Sequence, residues 1–280
     1  MIPLTVGEIA RLVSGQIHSV DDDLVVRDVV IDSRSVTPSS MYVAIAGERV
    51  DGHDYASAAV AAGSLVCLTS HDVSDSSGNA VPCIVVDDPV LALGRLARAV
   101  RRNHLACKVV AITGSSGKTS TKDLVAQLLT VMGRTTSAVG SFNTEVGVPL
   151  TILSADADTE FLVVEMGMRG AGHIAYLVDI VKPDVGVIVN VGSAHVGMLG
   201  NRDAIGTAKG ELVAGLTTGD TAVLNADDPI VRTMRDRTVA NVVTFGESAE
   251  ADVRATDVRL DDMARASFTL TDHRDGKDEA

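Results

Sequence analysis

At 280 residues, 46% of them apolar, the chain has enough material for a full hydrophobic core and for about two domains. Its formal net charge of −13 excludes a nucleic-acid-binding surface, which needs a basic face, although a nucleotide can still be held locally by one lysine and Mg²⁺. No apolar stretch approaches the ~20 residues of a spanning helix, and no basic segment precedes an apolar core at the N-terminus, so the expected compartment is the cytoplasm.

Residues 1–86 read as a small α/β unit. Thr5 with Glu8 three residues on is a capping-box pattern, and the helix it starts should stop near Gly15. Strands are predicted over 25–30, 41–46, 65–68 and 84–86, with a helix over 55–62 and an exposed Ser/Asp-rich loop over 70–78. Cys67, Cys83 and Cys107 lie in or beside apolar runs without metal-ligand spacing, which predicts buried free thiols. At Asp87-Asp88-Pro89 the pattern changes to a helix over 90–102, and a second domain, 87–280, is expected to begin.

Strands over 108–113, 135–139, 160–165, 185–190 and 221–225 then alternate with helices over 118–132, 171–180 and 203–214. Strands 160–165 and 185–190 are nearly all apolar, as parallel strands covered on both faces are. The fold class expected is therefore α/β: a small N-terminal unit, then a doubly wound, mostly parallel sheet with ligands at the carboxyl ends of its strands. Residues 242–271 read as short antiparallel strands, with Val253, Val258, Phe268 and Leu270 as core positions. The charged segment from His273 reads as frayed.

The run Thr113-Gly114-Ser115-Ser116-Gly117-Lys118-Thr119-Ser120 separates a buried strand from a helix with Leu124, Val125, Leu128, Leu129 and Met132 at helical spacing. A glycine turn in that place cradles phosphate: the N–H groups of 115 to 119 and the positive end of the helix favour an anion, Lys118 reaches the β/γ-phosphates and Thr119 an Mg²⁺ ion. The common loop would need glycine at 112, where Ile112 stands, so this is a shortened form. A simple connecting turn is the bland alternative. Glu165 ends strand 160–165, and His195 follows strand 185–190 by a short loop, so both rise from the edge that carries the phosphate loop. Glu165 is either an oxygen ligand for Mg²⁺ or half of a strand-end ion pair. By residue type alone, His195 reads better as an orienting or packing histidine. Lys209, early in its helix, reads as a solvated charge, and Asn143, in the polar turn 140–149, as a turn residue or a substrate contact.

Together, Thr113 to Thr119, the strand end Glu165 to Gly170, Asn190 to His195, Ala208 to Glu211 and Asn225 to Pro229 resemble the ATP-dependent Mur ligases of peptidoglycan synthesis. Asp32 to Pro38 and Asp51 to Asp54 resemble that family's UDP-sugar-binding domain. Serines inside the phosphate loop, the turn 140–149 and Glu165 to Ile174 agree best with the branch that adds D-alanyl-D-alanine. The chain departs from that branch at Ser141 and Thr144, where Asn is frequent.

The resemblance implies two substrates, UDP-N-acetylmuramoyl-tripeptide and D-alanyl-D-alanine, with ATP and two Mg²⁺ ions. Gly114, Ser115, Ser116, Gly117, Lys118, Thr119 and Ser120 would hold ATP. Thr119 and Glu165 would ligate one metal, while His195 and a carbamylated Lys209 would serve the other. Lys118, Asn143, His195 and Lys209 would form the catalytic set, and Ser33, Arg34, Asp51, Gly52 and His53 the UDP-sugar site. It further implies a central domain cut short and a C-terminal amine-binding domain lying outside this chain. A diaminopimelate- or lysine-adding ligase, a folylpolyglutamate-synthase-like enzyme without the UDP-sugar domain, or a noncatalytic nucleotide-sugar-binding fragment are the alternatives.

Overall fold

The computed structural model describes residues 1–192 and 201–274; His195 lies outside them. Two compact units emerge, Met1–Cys107 with Leu129–Leu162, and Lys108–Leu128 with Val163–Ala280.

The first unit opens with β1 (Leu4–Thr5), α1 (Val6–Val13), β2 (Gln16–His18), β3 (Val25–Val26) and β4 (Asp28–Val30). The capping box forms as predicted: Glu8 N–H donates to Thr5 Oγ1 at 3.1 Å and Thr5 N–H to Glu8 Oε2 at 2.7 Å. β5 (Ser40–Val43), α2 (Ala56–Ala61), β6 (Val66–Thr69), β7 (Cys83–Val85) and α3 (Pro89–Asn103) follow. The sheet order is β2-β7-β6-β5-β4, parallel from β4 to β7, with β2 antiparallel on β7.

The single strand expected over 25–30 is two, because Arg27 N–H turns to Ser39 O; β3 pairs with β1 while β4 joins the main sheet. β5 and β6 are buried throughout, and all three cysteines are free and buried. Asp88 starts α3 by accepting from Val90 and Leu91 N–H, and the helix packs on α1. Packing thus groups 87–107 with the residues before 86.

The chain passes to the second unit through β8 (Lys108–Thr113) and α4 (Lys118–Thr130), then returns for β9 (Thr135–Ser137) and α5 (Gly147–Ser154). Helix α5 stands where the sequence suggested only a turn. Gly147 and Pro149 read as punctuation, but both fall in the first turn, where a missing N–H costs nothing, and Val148, Ile152 and Leu153 are buried.

In the second unit, β10 (Phe161–Glu165), α6 (His173–Val181), β11 (Val185–Ile188), α7 (Arg202–Ala214), β12 (Thr221–Asn225), α8 (Pro229–Arg232), β13 (Asn241–Gly246), β14 (Val253–Leu260) and β15 (Ala266–Asp272) complete the chain. Within this unit the order is β15-β14-β13-β12-β11-β8-β10, with β8, β11, β12 and β13 paired in parallel. After β8 the chain forms β10 on one flank and then β11 on the other. The carboxyl end of β8 is therefore the point where strand order reverses and a ligand crevice opens.

Two expectations are corrected here. The tail is not wholly antiparallel: β13 runs parallel to β12 and, at Phe245 and Gly246, to β14, and only β14 and β15 are antiparallel. Val258, Phe268 and Leu270 are 40%, 53% and 54% exposed, since β14 leaves β13 after Arg254 and the ribbon beyond pairs only with itself. In α4, Leu124 and Leu128 are exposed, as is Met132 in the turn after it, while Lys122 and Ala126 are buried. The apolar spacing identified a helix, but what faces that helix decides which side is covered.

Candidate functional site

β8 delivers the chain into the phosphate loop. Gly117 has φ +75°, a left-handed value that side chains resist, and a Cβ on Gly114 would stand 3.0 Å from Val189 Cβ, so Gly117 suits the backbone and Gly114 the close approach to β11's end. The Nζ atoms of Lys118 and Lys209 each donate to Gly114 O at 2.9 Å, and neither lysine forms an ion pair among the described residues. Lys209 is 1% exposed, which overturns its reading as a solvated charge. Burial, and then the neighbouring Lys118 charge, pull its ammonium down to about 8. Two cations converging on one carbonyl make a locus suited to an anion, and among the described residues the buried Ser115 Oγ has no hydrogen-bond partner.

Thr119 Oγ1 donates to Glu165 Oε2 at 2.7 Å, and Glu165 is 1% exposed at the end of β10. This pair of hard oxygen donors, with Thr119 one residue along the chain from Lys118, fits an Mg²⁺ ion shared with phosphate. The expectation that all N–H groups from 115 to 119 face the anion is corrected. Ser115 N–H donates to Asn190 O at 3.0 Å and to its Oδ1 at 3.1 Å, and Ser116 N–H to Asn190 Oδ1 at 3.0 Å. The N–H groups of 117 to 119, at the start of α4, remain for a ligand.

The Ala208-Lys209-Gly210-Glu211 run has a division of labour. Lys209 enters the site; a Cβ on Gly210 would meet Arg237 Nη1 at 2.4 Å; Glu211 accepts from Gly172 and Ala175 N–H at 2.7 and 3.0 Å, capping α6. In the first unit, Asn143 is half-buried ahead of α5, and the departure at Thr144 has a local use, since its hydroxyl accepts from Gly147 N–H at 3.3 Å.

The predicted sugar-site residues follow the carboxyl ends of adjacent parallel strands, Ser33 and Arg34 after β4, Asp51 to His53 after β5. Arg34 forks onto Asp32 with contacts of 2.7 to 3.2 Å, and its guanidinium holds that carboxyl down to about 2. His53 is 6% exposed with both ring nitrogens engaged, Nδ1 with Asp51 at 2.6 Å and Nε2 accepting from Ser70 N–H at 3.0 Å. Tyr42 Oη donates to Gly52 O, and burial pushes this phenol up to about 12. Gly52 and His53 thus shape the turn, whereas Ser33 and Arg34 stand at its open edge. A cavity of about 270 Å³ in the same unit is lined by Val30, Asp32, Ser35, Phe142 and Leu150.

Residues 112–278 match the Mur ligase middle domain and residues 25–101 the Mur ligase family catalytic domain. The chain belongs to the Mur ligase family. This Mur ligase chain is 40% identical over 98% of its length to UDP-N-acetylmuramoyl-tripeptide--D-alanyl-D-alanine ligase of Mycobacterium tuberculosis, of which it covers 58%. It is 35% identical to the ligase of that name from Escherichia coli, over 81% of this chain and 49% of that one. Among solved structures it is similar to MurF from Acinetobacter baumannii, with a TM-score of 0.87, 31% identity and coverage of 97% and 59%. MurF ligase from Thermotoga maritima, solved in complex with ADP, gives 0.77, 33%, 88% and 56%. The chain thus spans between 49% and 59% of the length of these relatives.

The residue that sequence reasoning missed is Asn190. It stood inside a quoted motif without a role, and its signal was its place, directly after β11 on the strand neighbouring β8.

Proposed function

We propose that this chain provides the nucleotide-binding and UDP-sugar-binding parts of an ATP-dependent amide ligase, the one that joins D-alanyl-D-alanine to UDP-N-acetylmuramoyl-tripeptide. The observation that carries it is the convergence of Lys118 and Lys209 on Gly114 O beside the Thr119–Glu165 pair, in a Mur ligase chain 40% identical to ligases of that name. A carboxylate is a poor electrophile. Transfer of the γ-phosphoryl group to the tripeptide's terminal carboxylate gives an acyl phosphate, releasing ADP; the amine of D-alanyl-D-alanine then attacks the carbonyl carbon, and the C–O bond to phosphate breaks.

Such a reaction asks for positioning and charge neutralisation. Lys118 and the N–H groups of 117 to 119 hold the phosphates, and Thr119 and Glu165 orient a divalent ion. Mg²⁺ supplies charge neutralisation at the phosphate oxygens. A lysine whose ammonium titrates at about 8 carries free amine near neutrality, and that amine can add CO₂ as a carbamate, losing one proton. Lys209 in this form, with His195, would serve a second metal, and Asn143 would contact substrate.

The open edge of the first unit, Ser33 and Arg34 beside the turn Asp51-Gly52-His53, would take the uridine-diphosphate sugar. In this reading residues 1–86 carry the sugar-binding function and 87–280 the nucleotide-binding one, in the cytoplasm where ATP is supplied. No helix of the described residues is long and apolar enough to cross a membrane. Calorimetry with Mg·ADP, UDP-N-acetylmuramoyl-tripeptide and dihydrofolate tests the proposal. Saturable binding of the first two, and none of the third, is expected; no Mg·ADP binding, or preference for the folate, refutes it.

A further inference from the structure

We infer that Asn190 is the positioning residue of the phosphate loop: its carboxamide ties up the first two loop N–H groups, so that those of 117 to 119 are the ones presented to phosphate. This inference rests on the nucleotide reading above and adds a residue to it. Asn190 Oδ1 accepts from Ser115 and Ser116 N–H at 3.1 and 3.0 Å, while its Nδ2 donates to Ser116 O and Oγ, both at 3.2 Å. Only a carboxamide can do both. Aspartate would aim a second oxygen at Ser116 O and add negative charge next to a phosphate, and alanine would leave Ser116 N–H without an acceptor and Ser115 N–H with only the residue-190 carbonyl, at 3.0 Å.

The peptides on either side of Asn190 are themselves fixed. Val189 N–H donates to Thr113 O at 2.9 Å, and Val189 O accepts from Asn225 Nδ2 at 2.9 Å. Val191 N–H donates to Asp228 Oδ2 at 2.8 Å, and Val191 O accepts from Arg202 Nη2 at 2.7 Å. The Asn225-Ala226-Asp227-Asp228-Pro229 run thereby acquires a purpose. Asn225 and Asp228 brace the clamp from β12 and the start of α8, and Asp228 Oδ1 also caps α8 through Ile230 and Val231 N–H. Preorganisation of this kind matters because loop N–H groups stabilise phosphate charge most when they need no rearrangement to meet it.

The experiment compares wild type, Asn190→Ala and Asn225→Ala by residue-resolved amide exchange without ligand, calorimetry with Mg·ADP and with pyrophosphate, and thermal unfolding. In Asn190→Ala, exchange at Ser116 should quicken roughly tenfold or more, exchange at Ser115 should change less because the residue-190 carbonyl still accepts from it, and both affinities should fall roughly tenfold, with the unfolding midpoint within about 2 °C of wild type. Asn225→Ala, which keeps Asn190 but frees Val189 O, should move exchange and affinity the same way by a smaller factor, and it carries the test if the first variant does not fold. Unchanged exchange at Ser116, affinities within about twofold of wild type, or a loss shared by amides throughout the second unit would overturn the inference. Absence of Mg·ADP binding by wild type would instead sink the nucleotide reading, and loop exchange would still show whether Asn190 holds the loop.

Discussion

The two lysines at Gly114 make opposite demands, and their chemistry can be separated. Lys118 is half-buried and should act chiefly by its charge, so Lys118→Ala is expected to weaken Mg·ADP binding roughly 10²-fold while leaving the fold intact. Calorimetry beside a thermal melt checks this, and wild-type affinity would refute it. Lys209 is buried, and its ammonium titrates at about 8 in the native state, against an ordinary value of 10.5. The unfolded chain therefore binds more protons between those values, and stability should rise with pH across that window. Below it, the buried charge costs about 3 kcal/mol. In CO₂-free buffer, Lys209→Met should be more stable than wild type at pH 7, and the gap should close by about pH 10.5. Equal stability at pH 7 would show that the charge is already compensated. With bicarbonate, an added carboxyl group on Lys209 should appear in intact mass at mildly alkaline pH.

Among the elements, α6 and α7 are joined by a cap that works across the fold. No side chain of α6's own N-terminus serves it, and Glu211 from α7 accepts from Gly172 and Ala175 N–H instead. Glu211→Ala should cost about 1–2 kcal/mol, read as a lower denaturant midpoint at unchanged slope. A change under about 0.3 kcal/mol would mean that water replaces the cap. Gly52→Ala is a harsher test in the other unit. Its Cβ would stand 2.6 Å from Ile45 N, a backbone atom that cannot swing away, so a loss of about 2 kcal/mol or more is expected. Tyr42→Phe, which removes only the hydroxyl bonded to Gly52 O, should cost about 1 kcal/mol.

At the scale of the whole molecule, a net charge of −13 coexists with the anionic ligands proposed above. The cations that would meet them are local: Lys118 and Lys209 in one unit, Arg34 in the other. Ligand binding to the native state alone adds about 2.7 kcal/mol at a hundredfold excess over Kd. Mg·ADP should therefore slow exchange in the second unit around 113–119 and 165, and UDP-N-acetylmuramoyl-tripeptide in the first unit around 31–36 and 51–54. Protection by the sugar nucleotide confined to the second unit would refute the assignment of the first.

Much of this was open to reading from the sequence, because it depends on neighbours along the chain. The capping box at Thr5 and Glu8, the glycines of the phosphate loop and the continuous apolar runs of β10 and β11 each follow from the conformational needs of a few consecutive residues. What required tertiary structure was whatever depends on distant partners. The burial of Lys209, 95 residues from the carbonyl it meets, cannot be told from a surface lysine by spacing. The clamp at Asn190 needs β11 laid beside β8, and helix α5 was hidden by turn residues that are harmless in a first turn. The same limit explains the tail, where Phe268 and Leu270 alternate as core residues do yet face solvent. Periodicity fixes which side of an element is apolar; only the packed fold decides whether anything covers it.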